Sequence, residues 1–329
     1  MILLSICIPT YNRADILKKS LESYVTNPHF DEEVEIIISD NASTDNTKEV
    51  GEYFSSKYSN ILYFRNTENI RDRNFPLSLD RGTGKYLKLM KDNLVISDDG
   101  LSYMKDCVKK NEFEESPLFF TNGILFNSNE LNMYYCRDMD DFITHLSFYV
   151  TAVWVFGCWK TEWPMVADRT KYSALQLAQN DWFYQLVVKK GNAVLCKKPF
   201  VKETIEVGSR SGYNWFKVHV SNYYLILEPY INSGKISKKA LKKEKETYLK
   251  NLLPFIALKY VWNTRPYYNF DMSGSTKILW KHFKTIPLFY ILLITLPIWG
   301  SYYSFRYPAK KIIMKMGLLA PINKFRRLF

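Results

Sequence analysis

The sequence predicts an α/β fold built on an open, mostly parallel sheet, and two segments carry that prediction. Ser5–Arg13 (SICIPTYNR) and Glu35–Asp45 (EIIISDNASTD) are each an apolar run that stops in small polar residues, and each is followed by a stretch of helical spacing. Two strand–helix units in succession are what a parallel sheet with crossover helices requires. The polar residues then gather at the carboxyl ends of the strands, where open α/β sheets bind their ligands. Asp40 and Asp45 stand there as acceptors for a ligand rich in donors, as a nucleotide base and ribose are.

Each element can be read in turn. Residues 2–9 form a first strand, and Asn12 caps a helix through Tyr24, with Asp15 in its first turn and Ile16, Leu17, Leu21 and Tyr24 at helical spacing. Val34–Ser39 is a second strand, apolar on both faces as a buried parallel strand is. Thr44–Phe54 is a helix capped by Thr44 or Asp45. A third strand covers Ile61–Arg65, a helix covers Asn74–Arg81, and a fourth strand covers Tyr86–Met90 before Lys91-Asp92-Asn93. A helix over Leu101–Asn111, with Asp98-Asp99 as its cap, leads to a strand over Pro117–Thr121. Farther on, Tyr149–Phe156 reads as a strand, Tyr172–Lys190 as a helix, Val194–Cys196 as a short strand and Gly208–Gly212 as a basic loop. Residues 236–262 read as an amphipathic helix kinked at Pro254.

Charge is unevenly placed along the 329 residues. The net charge is +12, yet Met272–Phe329 holds ten Lys or Arg and no Asp or Glu, so the rest of the chain carries only +2. That argues against a nucleic-acid-binding body and for a tail with its own anionic target, a membrane surface. Thr285–Phe305 is a run of 21 uncharged residues, long enough for a bilayer core, but Pro287, Pro297 and Gly300 interrupt it. Ala309–Leu319 alternates Ile and Met with Lys, which suits an interfacial helix. A monotopic or re-entrant attachment is therefore expected over a full span. The five cysteines lack any CxxC pair and the four histidines build no zinc pattern. With no charged region before the first apolar stretch, the body is expected in the cytoplasm.

Taken together, Ser5–Arg13, Ile36–Asn46 and Gly84–Asn93 resemble the nucleotide-sugar-binding half of family-2 inverting glycosyltransferases of the GT-A fold, the type that builds bacterial surface polysaccharides. The resemblance implies three regions: 1–110 for the nucleotide sugar, 111–215 for the acceptor, and 216–329 as a helical, membrane-associating C-terminal region. It places Pro9, Thr10, Tyr11 and Arg13 near the nucleotide, makes Asp40 the acceptor for the base N–H, and points to Asn69, Arg71 and Asp72 as a stretch closing over it. Arg210, in the later basic loop, would reach the diphosphate.

Family members carry an acidic cluster where this chain has Met90-Lys91-Asp92-Asn93, and it holds a divalent cation on the diphosphate. Two readings follow from the substitution of Lys91 for an acid. Asp92 with Asn93 holds Mg²⁺ or Mn²⁺, or Lys91 supplies positive charge itself. Asp181, in Gln179-Asn180-Asp181-Trp182, falls at the distance expected of the carboxylate that deprotonates the acceptor hydroxyl. The resemblance implies transfer from a UDP-sugar to a polyprenyl-diphosphate-linked glycan on the cytoplasmic face of a bacterial inner membrane. The rivals are an inactive membrane-bound sugar-nucleotide scaffold and a nucleotidyltransferase, although the latter needs a Gly-rich basic loop that Pro9–Arg13 does not provide.

Overall fold

A computed structural model describes residues 1–123, 133–205, 210–256 and 268–295. They divide into two compact units, one of residues 1–208 with 215–244 and one of 209–214 with 245–329.

The first unit is organised by a five-stranded sheet. Its strands are β1 (Leu4–Thr10), β2 (Val34–Asp40), β3 (Ile61–Arg65), β4 (Tyr86–Leu89) and, later in the chain, β8 (Gly157–Trp159), in the order β3-β2-β1-β4-β8. The first four are parallel and β8 is antiparallel at the edge. Register follows from burial. Ile6, Ile8, Ile36 and Ile38 lie fully buried, with Ile6 beside Ile36 and Thr10 beside Asp40. Helices α1 (Ala14–Val25), α2 (Thr47–Lys57) and α3 (Asn74–Asp80) connect the strands. Because β1 goes to β2 on one side and pairs with β4 on the other, the order reverses between β1 and β4. That reversal is the switch point at which open α/β sheets take ligands.

The remaining elements extend this body. They are β5 (Leu94–Ile96), α4 (Gly100–Asn111), β6 (Leu118–Phe120), β7 (Met133–Cys136), α5 (Met139–Leu146), α6 (Ala178–Lys190), β9 (Ala193–Cys196) and β10 (Val201–Thr204). A second sheet runs β6-β9-β7, and β5 pairs with β10. Helix α7 (Tyr223–Asn232) packs on α6, so residues 216–244, grouped with the C-terminal region on sequence grounds, belong to the same compact body. Helix α8 (Lys238–Ile256) includes Pro254.

Two expected elements differ. Tyr149–Phe156 is not a strand: 3₁₀ turns cover Ser147–Thr151 and Val153–Val155. On β4, Lys88 is fully buried, and its ammonium donates to the Phe156 carbonyl at 3.1 Å and to that of Trp154, so two carbonyls of this segment bind a side chain, while the Phe156 carbonyl also accepts the Leu89 N–H. The helix expected from Tyr172 starts only at Ala178, because Gln176 takes a left-handed backbone (φ 63°) that ends a 3₁₀ turn at Ser173–Leu175.

In the second unit, β11 (Arg210–Asn214) pairs in parallel with β12 (Tyr268–Asp271), where a basic loop was expected. Helix α9 (Ser275–Phe283) and a further helical stretch at 287–295 follow. Phe283 packs on Tyr248 and Phe289, while Trp280, Ile291, Leu293 and Ile294 stay exposed. No helix among the described residues is long and apolar enough to cross a membrane. The part of the uncharged run after residue 295, and all of Ala309–Leu319, lies outside the described residues.

Candidate active site

The carboxyl ends of β1, β2 and β4 meet the loops that follow them, and those loops are tied to one another by side chains. After β1, Asn12 accepts from the Thr44 N–H at 2.7 Å, and its own N–H donates to Ser43 Oγ at 2.9 Å. The Asp45 carboxylate accepts from Ala14 N–H at the start of α1 and from Thr47 N–H and Oγ1 at the start of α2. One carboxylate thus caps two helices. Burial pushes its pKa up, but these hydrogen bonds outweigh that and leave it below the ordinary aspartate value. Asp45 is accordingly a cap and not a ligand-facing acceptor, which corrects the expectation from sequence.

Asp40 is also engaged within the protein. It is fully buried, one oxygen accepts from Ser43 N–H at 2.9 Å, and the other accepts from Tyr63 Oη at 2.7 Å with Arg65 Nε at 3.6 Å. Burial, then the neighbouring Asp40 charge, push the Tyr63 phenol far up, so it remains the donor. A Cβ at Gly51 on α2 would overlap the Tyr63 ring, so this contact needs glycine there. A base N–H at Asp40 would have to use the lone pairs that Ser43 and Tyr63 leave open.

An amide network that sequence reading missed holds the loop after β3. Asn41 Nδ2 donates to Asn69 Oδ1 at 2.8 Å and to the Arg71 carbonyl, while its Oδ1 accepts from Ile70 N–H and from Asn66 Nδ2. Asn74 Nδ2 reaches back to the Ser39 carbonyl at 2.7 Å, and Arg81 bonds Ser39 Oγ and Asn66 Oδ1. The network fixes Asn69 and Arg71 beside the end of β2, with Arg71 in a left-handed conformation (φ 52°). Asp72 follows, half-buried, and burial raises its pKa while the Arg71 charge opposes the rise. The available signal was the repeated placement of Asn directly after apolar strands, at Asn41 and Asn66.

The switch point itself is bridged by Asp92. Thr10 Oγ1, at the end of β1, donates to one carboxylate oxygen at 2.9 Å, and Arg13 Nη1 donates to the other at 2.8 Å. The Asp92 side chain is only 4% exposed, whereas that of Arg13 is 33% exposed. Lys91 lies with its ammonium 5.3 Å from the centre of the Trp154 ring, a cation–π distance. Asn93 Nδ2 donates to the Ile205 carbonyl at 3.0 Å, and its Oδ1 is buried without a partner.

A hard divalent cation asks for six or more oxygens, with carboxylates among them. Here one amide oxygen is open, and the one carboxylate, each of whose oxygens already accepts one hydrogen bond, is paired with the Arg13 cation. No group of three His, Cys, Asp or Glu able to hold a metal occurs among the described residues. A cation at Asp92 would draw most of its ligands from phosphate and water and would meet the Arg13 guanidinium already paired there, like charge against like, so the donor set as arranged does not favour a metal.

Asp181 sits in the first turn of α6 and is 5% exposed. Tyr230 Oη on α7 donates to one oxygen at 2.6 Å and Gln185 Nε2 donates to the other at 2.7 Å. Burial and then the Asp181 charge push the Tyr230 phenol well up, keeping it a donor. Both partners are neutral, and each carboxylate oxygen keeps a lone pair for an incoming hydroxyl. Pro9 and Tyr11 flank Thr10, Tyr11 being 41% exposed, while Arg210 opens β11 in the second unit.

The switch point of an open α/β sheet is thus ringed by hydroxyl, guanidinium and carboxylate groups. Residues 5–114 match the model of glycosyl transferase family 2. Among curated proteins, it is 38% identical over 105 residues to abequosyltransferase RfbV of Salmonella typhimurium, covering 31% of this chain and 32% of that one. It is 32% identical over 102 residues to the GalNAc(5)-diNAcBac-PP-undecaprenol beta-1,3-glucosyltransferase of Campylobacter jejuni, covering 30% and 32%. The matches thus span about a third of the length of these relatives. The fold resembles Staphylococcus aureus TarS 1-349 in complex with UDP (TM-score 0.54, 14% identity, 80% of this chain and 76% of that one). It also resembles the mannosyltransferase PcManGT of Pyrobaculum calidifontis in complex with GDP-Man and Mn²⁺ (TM-score 0.51, 14% identity, 92% and 86%). These likenesses establish the GT-A-like fold.

Proposed function

We propose that the protein is an inverting glycosyltransferase that moves a sugar from a nucleoside diphosphate donor, UDP in the first instance, onto a lipid-linked glycan in bacterial polysaccharide synthesis. The observation that carries this reading is the Thr10–Asp92–Arg13 bridge at the switch point, within the segment that matches the family. The nucleoside lies against Pro9, Tyr11, Asp40, Asn69, Arg71 and Asp72, and the diphosphate lies toward Arg13 and Lys91. The acceptor oxygen attacks the anomeric carbon from the face opposite the diphosphate. Its proton passes to an open lone pair of Asp181 as the carbon–oxygen bond to the diphosphate breaks, so the leaving group departs with the electron pair. Positive charge at Arg13 and Lys91 stabilises that departing anion. The open lone pairs of Asp181 favour an enzyme over an inactive scaffold.

The Mg²⁺ or Mn²⁺ implied by family resemblance has support in the neighbour described with GDP-Man and Mn²⁺, and none in the donor set of Asp92 and Asn93. A polyprenyl-diphosphate-linked acceptor is supported by the name of the Campylobacter relative. Peripheral attachment to the cytoplasmic face of the inner membrane is supported by exposed Trp280, Ile291, Leu293 and Ile294 near Lys277, Lys281 and Lys284. Incubating the full chain with UDP-sugars and polyprenyl-diphosphate glycans tests the reading. It predicts a lengthened glycan whose new bond has the anomeric configuration opposite to the donor's. Release of sugar phosphate or a retained configuration contradicts it.

A further inference from the structure

We propose that the positive charge which holds the nucleoside diphosphate is the Arg13 guanidinium, clamped by Asp92, so that this site binds its nucleotide without a divalent metal. The proposal rests on the glycosyltransferase reading and concerns the diphosphate end of the same cleft.

The geometry assigns Asp92 the role of anchor. Each of its oxygens accepts one hydrogen bond, one from Thr10 Oγ1 at 2.9 Å and one from Arg13 Nη1 at 2.8 Å, and it is nearly inaccessible to solvent. A metal binding that carboxylate would have to sit beside the Arg13 guanidinium, like charge against like, or displace its charge-assisted hydrogen bond. Arg13 is differently placed. One third of its side chain is exposed, and the Asp92 bond uses one of the five N–H donors a guanidinium carries. Its backbone is fixed as well, because Arg13 N–H donates to Thr47 Oγ1 at 3.2 Å. A planar fork held from behind and open in front is the arrangement that recognises phosphate oxygens in pairs.

Lys91 adds to the same edge. It follows β4 where the family has an acid, and the Trp154 ring lies 5.3 Å from its ammonium. Trp154 is set in turn by Lys88, whose buried ammonium binds the Trp154 carbonyl.

The test is a binding measurement on the full chain with UDP, CDP, GDP and dTDP, by calorimetry and thermal shift, in EDTA and again with Mn²⁺. One of these nucleotides should bind with the same affinity, within about twofold, under both conditions, and Mn²⁺ alone should cause no shift. Arg13→Gln should weaken that binding about tenfold or more, as loss of a charge-assisted phosphate contact does. Asp92→Asn, which frees Arg13 but leaves its charge, should weaken it less. Arg13→Lys, which keeps charge without the fork, should fall between wild type and Arg13→Gln and guards against a folding artefact. Binding that requires Mn²⁺, is lost in EDTA and is abolished by Asp92→Asn but not by Arg13→Gln overturns the proposal and leaves the glycosyltransferase reading standing. Binding of none of the four under either condition overturns both.

Discussion

Asp92, at the proposed diphosphate end of the site, and Asp181, on the proposed acceptor side, are almost equally buried, at 3% and 5% exposure, yet they keep opposite company. Asp92 is held by a guanidinium and a hydroxyl, so its charge is cancelled where an anionic leaving group has to be received. Asp181 is held by a phenol and an amide, which orient it without neutralising it, as a proton acceptor requires. Burial alone therefore does not tell an anchor from a base. The charge of the partners does.

The largest expected effect comes from breaking the acceptor side. Asp181→Asn should lower sugar transfer by about 10²–10⁴-fold, the range for removing a general base, while nucleotide affinity measured in parallel stays within about twofold. Equal losses in transfer and affinity would make Asp181 part of the donor site and dissolve the contrast. Tyr230→Phe sharpens the same point. It removes a hydrogen bond to a buried carboxylate, for which a stability loss of about 1.5–3 kcal/mol is expected in urea unfolding, with transfer reduced more than donor affinity.

A third carboxylate, Asp40, extends the comparison because its partner Tyr63 depends on a glycine. Gly51→Ala should press on the Tyr63 ring, cost about 1–3 kcal/mol as overpacking does, and weaken nucleotide binding through Asp40. Unchanged nucleotide affinity in a folded Gly51→Ala protein would remove Asp40 from the nucleoside site.

A fourth carboxylate, away from the proposed site, has almost no company. Glu162 is fully buried, accepts one hydrogen bond from Trp159 N–H, and leaves its other oxygen unpartnered. Burial raises its pKa from 4.5 to about 8. Between those values the folded protein keeps a proton that the unfolded chain releases, so stability falls as pH rises through the window. Glu162→Gln should remove that part of the slope. Its melting temperature relative to wild type should be higher at pH 8 than at pH 5, and a difference independent of pH would contradict the assignment.

Much of the first hundred residues was legible because its signals are local. Apolar runs of strand length ending in Thr10, Asp40 and Lys91-Asp92 mark both the strands and their functional ends, and the sheet places them together. What escaped depends on partners far away in sequence. Arg13 and Asp92 are separated by 79 positions and Asp181 and Tyr230 by 49, so no spacing rule connects them. Tyr149–Phe156 has strand composition, but it folds as two 3₁₀ turns whose Trp154 and Phe156 carbonyls take the buried Lys88 ammonium of β4. Asp45 has the same chemistry as Asp40; the sequence offered it both as a ligand acceptor and as a cap of one helix, and two helix starts converge on it.

The most direct test of the account is where a nucleotide lands. Amide hydrogen exchange of the full chain with and without UDP should show protection gathered at residues 10–13, 41–47, 69–73 and 90–93, the loops around the β1–β4 switch point. Protection confined elsewhere, such as the cleft lined by Arg73, Asp80 and Arg169 beside α3, with those four loops unchanged, would contradict it.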